Sequence, residues 1–285
     1  MADNSYFKKN TERQRLAKAL LRECKIEGPP TNRDLILDYF GLQVFKLSKI
    51  IDQPMQQIST DIRAILDRKP KRIYLHDSVL YSETMVNFSI FHEIGHFVLP
   101  NHESILRERS IKECEWKDLN PFSEEYLELE ANAFAADCIF QINRFTEDAL
   151  RYPLSLKAPF KLSQVYNVSF EASFRRYVEM NPFPCALVVY KPETFDDASD
   201  ALVVNYTITS STFREFKYIK PHQKVGATED VARLFYDYGG SGKDFQEIEL
   251  NLRNPMTGET ASYKTECFTN RYKVFQLVRP EWKNP

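Results

Sequence analysis

A chain of 285 residues with 43% hydrophobic and 27% charged side chains can bury a core of one large domain or two modest ones, and this is not the composition of a disordered protein. Its 38 basic residues against 40 acidic ones leave a net charge of -2, so no global field draws it to nucleic acid or to an anionic membrane. Cys24, Cys114, Cys138, Cys185 and Cys267 are scattered without a C-x-x-C pair, which argues against a disulfide framework or a thiolate zinc cluster. With no signal-like opening and no apolar run of roughly 20 residues, a reducing cytoplasm is the expected compartment.

Residues 10–26 have the pattern of an amphipathic helix, with Leu16, Ala17, Leu20 and Leu21 on one face. Pro29 and Pro30 interrupt it, and Thr31 or Asn32 caps a second helix that stops near Gly41. "QVFKLS" and "KRIYLH" read as short strands. Ser82 opens a helix that Pro100 ends. Its apolar positions (Met85, Phe88, Ile90, Phe91, Ile94 and Phe97) surround much of its girth, so burial is expected. "NPFSEEYLELEANAFAADCIFQIN" is another strong helix, with Pro121 and Ser123 at its start and acidic residues at the positive end of its dipole. "LSQVYNVSFEASFRRYVEM" suggests two short helices with a turn at Asn167 and a cap at Ser169.

After "NPFPC" the character changes. "ALVVYK", "ALVVNYTIT", "FREFKYI", "EIELNL", "SYKTECF" and "YKVFQLV" are strand-like runs separated by turn residues, with hairpin signals at "NPMTGE" and "FTNRYK". The shift predicts a boundary near residue 182, between a domain over 1–181 and a β-rich domain over 182–285. The fold class expected is α+β.

The chemistry concentrates in "FSIFHEIGHFVLP", residues 88–100. Residues four apart on a helix project from nearly the same side, so His92 and His96 can aim both imidazoles at one ion. Glu93, rotated around the axis, can reach a water at that ion without being a ligand. This is the H-E-x-x-H arrangement of zinc hydrolases, in which the glutamate is the proton acceptor. Buried histidines can also simply bond to backbone carbonyls. Two histidines and a glutamate on an otherwise apolar helix are expensive to desolvate, however, and a cation relieves all three. Gly95 costs on the order of 1 kcal/mol relative to alanine inside a helix, which implies close approach by a strand or a substrate.

A catalytic zinc usually takes three protein ligands. In "ELEAN", Glu128 and Asn132 are four apart and share a helical face. The carboxylate could bind the ion while the carboxamide oxygen accepts from a ligand histidine's remaining N–H. Glu130, with Phe134 at the equivalent spacing, is the reserve candidate. His102 suits a ligand role less well, since Pro100 breaks the helix before it, and His76 and His222 read as ordinary polar residues.

"RIYLHDSVLYSETMVNFSIFHEIGHFVLP" followed by "ELEANAFAAD" resembles the ImmA/IrrE family of metallo-endopeptidases over roughly residues 70–180. Two linked motifs in order are more specific than H-E-x-x-H alone. The resemblance implies a zincin-like, mainly helical domain with a small sheet, Zn2+ on His92, His96 and Glu128, and Glu93 as catalytic base. It also implies a bacterial protein that cleaves a protein target, for some members a helix-turn-helix repressor controlling stress or mobile-element genes. Phe91 stands where alanine is common, and "DCIFQI" replaces a Leu-Leu-Met-Pro ending. Neither departure removes a ligand or the base.

Weaker signals have simpler explanations. Residues 160–180 could form a DNA-reading helix-turn-helix offering Arg175 and Arg176 to phosphates, but a helix pair packing within the protein is the better reading. "DYGGSGKD" lacks phosphate-loop spacing. Tyr206, Phe213, Phe216 and Tyr218 suit cross-strand pairing better than base stacking. The expected activity is zinc-dependent endopeptidase, with an extended substrate pairing to "KRIYLH" as a sheet edge and neither membrane nor direct nucleic-acid binding expected. The rivals are a zinc-bound sensor that cleaves nothing and a DNA-binding regulator.

Overall fold

The computed structural model describes residues 11–49, 63–100, 102, 121–194, 200–213, 224–225, 230–236, 245–253 and 260–280. They belong to two compact units, one of residues 1–145 with 165–169 and the other of residues 146–164 with 170–285.

In the first unit, α1 (Thr11–Glu23) and α2 (Arg33–Phe40) precede a three-stranded sheet. Asn32 caps α2 by accepting from the Asp34 and Leu35 amides, and Gly41 ends it at φ 67, a left-handed conformation that glycine adopts at no Cβ cost. The sheet order is β1 (Gln43–Lys46), β3 (Arg72–Leu75), β2 (Ala64–Asp67). β3 pairs parallel with β1 and antiparallel with β2. "KRIYLH" is therefore the central strand, not the expected edge, and its buried Ile73 and Leu75 explain why. β2 has no counterpart in the sequence reading, since only Leu66 of its four residues is buried.

Two helices dominate this unit, α3 (Glu83–Val98) and α4 (Pro121–Ile139). The Ser82 hydroxyl caps α3 by accepting from the Met85 amide. Fully buried Phe91 and Phe134 lie in a core that also contains Ile36, Ile73, Ile90 and Ile94. Burying each such aromatic or branched side chain stabilises by roughly 1.5–3 kcal/mol. Gly95 lets α3 and α4 approach closely: a methyl built there would lie 3.3 Å from Ala131 Cα, its carbonyl oxygen and Phe134 Cδ1. The close neighbour is thus a helix, neither the strand nor the substrate expected. Arg13 of α1 reaches Asp137 of α4 at 2.8 Å, with the side chains 1% and 2% exposed. The Thr31 hydroxyl donates to the Cys138 carbonyl and accepts from the Gln141 amide.

The second unit contains α6 (Lys157–Val165) and α7 (Phe170–Glu179), which follow the short α5 (Arg144–Ala149). Its six-stranded antiparallel sheet has the order β6 (Lys224–Val225), β5 (Asp200–Thr209), β4 (Ala186–Thr194), β9 (Val274–Arg279), β8 (Thr260–Thr269), β7 (Gln246–Arg253). Alternation along β9 directs Val274 and Val278 into one cluster with Val231 and Leu234 of α8 (Asp230–Tyr236), a helix the sequence reading missed. Phe275 faces the other way, 5.2 Å from Phe174 of α7. The sheet is covered on both faces. Its continuous apolar runs follow from that.

The division near residue 146 differs from the sequence boundary at 182 because α6 and α7 pack on this sheet. Phe160 and Phe174 both contact Phe268. Arg176 is buried, and Arg175 pairs with Glu179 at 2.9 Å and lies over the Tyr206 ring. Arg175 is half-exposed but already committed to Glu179 and Tyr206, so packing within this unit accounts for both arginines. The Tyr206 hydroxyl donates to Glu171.

Cys24, Cys138, Cys185 and Cys267 are buried free thiols. Among the described residues no helix is long and apolar enough to cross a membrane. Cys114, Phe216, Tyr218, His222, "NPMTGE" and all of "DYGGSGKD" lie outside the described residues.

Candidate metal centre

Helix α3 presents His92 and His96 four residues apart, and their Nε2 atoms lie 3.0 Å from each other. Across from them α4 presents Glu128, with Oε2 3.1 Å from His92 Nε2 and Oε1 3.4 Å from His96 Nε2. These three side chains are the one group among the described residues whose donor atoms gather closely enough for a metal ion, all within 4.8 Å. Ligands bound at about 2.0–2.1 Å to a tetrahedral ion are separated by roughly 3.3 Å. The three observed separations match one face of such a tetrahedron. Two neutral imidazoles cannot both direct lone pairs at each other across 3.0 Å at no cost, and a cation removes that conflict. The residues fit a divalent ion.

Electrostatics within the cluster point the same way. Burial of Glu128 opposes ionisation, but the two histidines outweigh it and hold the carboxyl well below its usual range. Burial also opposes protonation of His92, yet Glu128, Glu93 and Asn132 reverse the balance and raise its proton affinity. The site is therefore built to concentrate positive charge between these atoms. Glu93, itself buried, belongs to the same cluster through that influence on His92.

Asn132 lies behind His92, with Oδ1 2.9 Å from Nδ1. A carboxamide oxygen can only accept, so this contact suits a His92 that donates from Nδ1 and offers Nε2 to an ion shared with Glu128. Glu130, the reserve ligand candidate, points elsewhere: Oε2 lies 3.3 Å from His102 Nε2. His102 in turn places Nδ1 2.9 Å from His96 Nδ1, on the opposite side of the ring from the cluster. Its proton affinity is lowered, chiefly by burial, with Glu130 working against that.

Thus His92, Glu93, His96, Glu128 and Asn132 are brought together, while the sequence reading missed what His102 and Glu130 do. The available signal was the pair of polar residues left without a ligand role, one of them just beyond the helix-ending Pro100. Arg68, directly after β2, was also missed. Its guanidinium donates to the carbonyls of His96 and Phe97 and lies 5.6 Å from the Phe97 ring centroid. A cation at the C-terminal end of α3 opposes the helix dipole and steadies the turn that carries His96.

Comparisons with known proteins bear on the family and the fold. A peptidase family model described as the IrrE N-terminal-like domain matches residues 37–176. Comparison with curated proteins finds none that matches this chain. Among solved structures, the chain is similar in fold to a Mycobacterium tuberculosis transcriptional regulator, with a TM-score of 0.55 and 14% identity. That match covers 98% of this chain and 79% of the regulator. The M. tuberculosis match speaks to fold alone. The chain carries an IrrE N-terminal-like peptidase domain over residues 37–176, and that match supports its assignment to the ImmA/IrrE family.

Proposed function

We propose that this protein is a zinc-dependent endopeptidase acting on a protein target in the bacterial cytoplasm. The observation that carries the reading is the convergence of His92, His96 and Glu128 beside the buried Glu93. Two imidazoles and one carboxylate form a set that suits zinc and leaves a position for substrate. When bound, the cation supplies Lewis-acid activation of the scissile carbonyl and of the attacking water. Glu93 accepts the proton that the water loses and delivers it to the departing amine. Asn132 holds His92 in the tautomer that leaves Nε2 free, and Arg68 anchors the end of α3.

Among the described residues, β2 offers an edge to which an extended substrate could pair. Among the described residues β2 pairs only with β3, and it ends next to Arg68, which bonds the His96 carbonyl. Strand addition there would lead a peptide backbone toward the cluster. The target class, a helix-turn-helix repressor, rests on the family resemblance, and the four buried free thiols suit a reducing compartment.

The test is Glu93→Gln in the full chain with zinc, incubated with a helix-turn-helix repressor encoded beside the gene. The wild type should cut, and the variant should lose about 10²–10⁴-fold in rate while retaining its metal content. A wild type that binds zinc and cuts nothing would make this a metal-bound sensor instead.

A further inference from the structure

We infer that His102 and Glu130 form a positioning chain behind the metal centre that fixes the tautomer and ring orientation of His96. The inference rests on the metal-centre reading above and deepens it. If His96 Nε2 is to face a cation, its proton must sit on Nδ1. That nitrogen lies 2.9 Å from His102 Nδ1, so His102 must accept there. An imidazole that accepts at Nδ1 carries its own proton on Nε2. The group facing His102 Nε2 is the Glu130 carboxylate, at 3.3 Å, which can only accept when ionised. One arrangement of protons satisfies all three residues. Glu130 accepts from His102, which accepts from His96, whose Nε2 lone pair is left toward Glu128 and His92.

The surroundings make this arrangement rigid. The His102 side chain is 0% exposed, Glu130 is 12% exposed and the His96 side chain 7%. Ala131, the next residue along α4 after Glu130, abuts Gly95 of α3, so the backbone that carries Glu130 is packed tightly against α3. The two ligand histidines are thus supported by different chemistry. His92 donates to a neutral carboxamide, whereas His96 donates into a histidine–carboxylate relay. Groups that orient a ligand histidine commonly contribute 10–100-fold to metal affinity.

The experiment compares wild type, His102→Leu, His102→Gln and Glu130→Ala as full-length proteins. Zn2+ affinity is read by chelator competition, and ligand geometry by the visible absorption of the Co2+-substituted protein. His102→Leu should weaken Zn2+ binding about 10–100-fold and shift the Co2+ bands, since His96 loses its acceptor. His102→Gln should recover most of the affinity and the wild-type spectrum. Its carboxamide oxygen can accept from His96 and its NH2 can donate to Glu130. Should His102→Leu fail to fold, Glu130→Ala carries the same expectation at about tenfold. Wild-type affinity and spectrum in folded His102→Leu or Glu130→Ala would overturn the inference. So would a folded His102→Gln as impaired as His102→Leu. Failure of the wild type to bind either metal would instead remove the metal-centre reading beneath it.

Discussion

Gly95 meets the backbone of Ala131 at the crossing of the two helices that carry the candidate metal centre: a methyl on Gly95 would sit 3.3 Å from both Ala131 Cα and its carbonyl oxygen. Backbone atoms cannot swing aside as a flexible side chain does. Alanine at this position gains about 1 kcal/mol of helix propensity, but overpacking typically costs about 1–3 kcal/mol. Gly95→Ala is therefore expected to be neutral to about 2 kcal/mol less stable by thermal unfolding. The more telling effect is on Zn2+ affinity, which should fall several-fold because α4 retreats with Glu128 and Asn132. A variant that is more stable and binds zinc as well as wild type would show that the helices have slack at this crossing.

Much of this site could be read from sequence because its first half is local. His92, Glu93 and His96 are set by helical spacing alone, and Ser82 and Pro100 mark the ends of their helix. The turn at Asn167, where φ is 50, and the αL glycine at Gly41 were equally local. Glu128 was separable from Glu130 only through the four-residue partnership with Asn132, a spacing argument that the distances support. The remainder depended on chain reversal. His102 reaches His96 from beyond Pro100, and no periodicity encodes that return. β2 escaped notice because one buried leucine in four residues is no strand pattern. α8 escaped because Val231, Ala232 and Leu234 acquire meaning only against the face of a sheet assembled from distant strands.

Arg13 and Asp137 tie α1 to the helix that bears Glu128, at 2.8 Å and with almost no solvent exposure. A buried ion pair adds little relative to an apolar pair of the same shape, but removing one member strands the other. Asp137→Ala should lower stability by about 3–5 kcal/mol, measured by urea denaturation. Asp137→Asn, which keeps an acceptor facing the guanidinium, should lose markedly less. Wild-type stability in Asp137→Ala would mean that neither the carboxylate charge nor its hydrogen bond is what holds Arg13 in place.

The second unit should be sensitive to alkali. Burial pushes the thiols of Cys185 and Cys267 up from 9.0 to about 12, against small opposing hydrogen bonds from Ser210 and Thr265. Burial likewise raises the Tyr177 phenol from 10.0 to about 12. Each group holds its proton more tightly folded than unfolded, so its contribution to stability is complete below the unfolded value and is lost as pH rises toward the folded one. Between pH 9 and 12 the unfolded chain sheds these protons while the folded unit retains them, at about 1.4 kcal/mol per group per pH unit at the limit. The urea midpoint followed by circular dichroism should fall steadily across that window. Replacing Cys185 and Cys267 together with alanine should flatten the decline below pH 10, where the phenol has yet to contribute. An unchanged slope in that double variant would mean that the two thiols ionise without unfolding, through solvent paths into the sheet that the folded structure does not show.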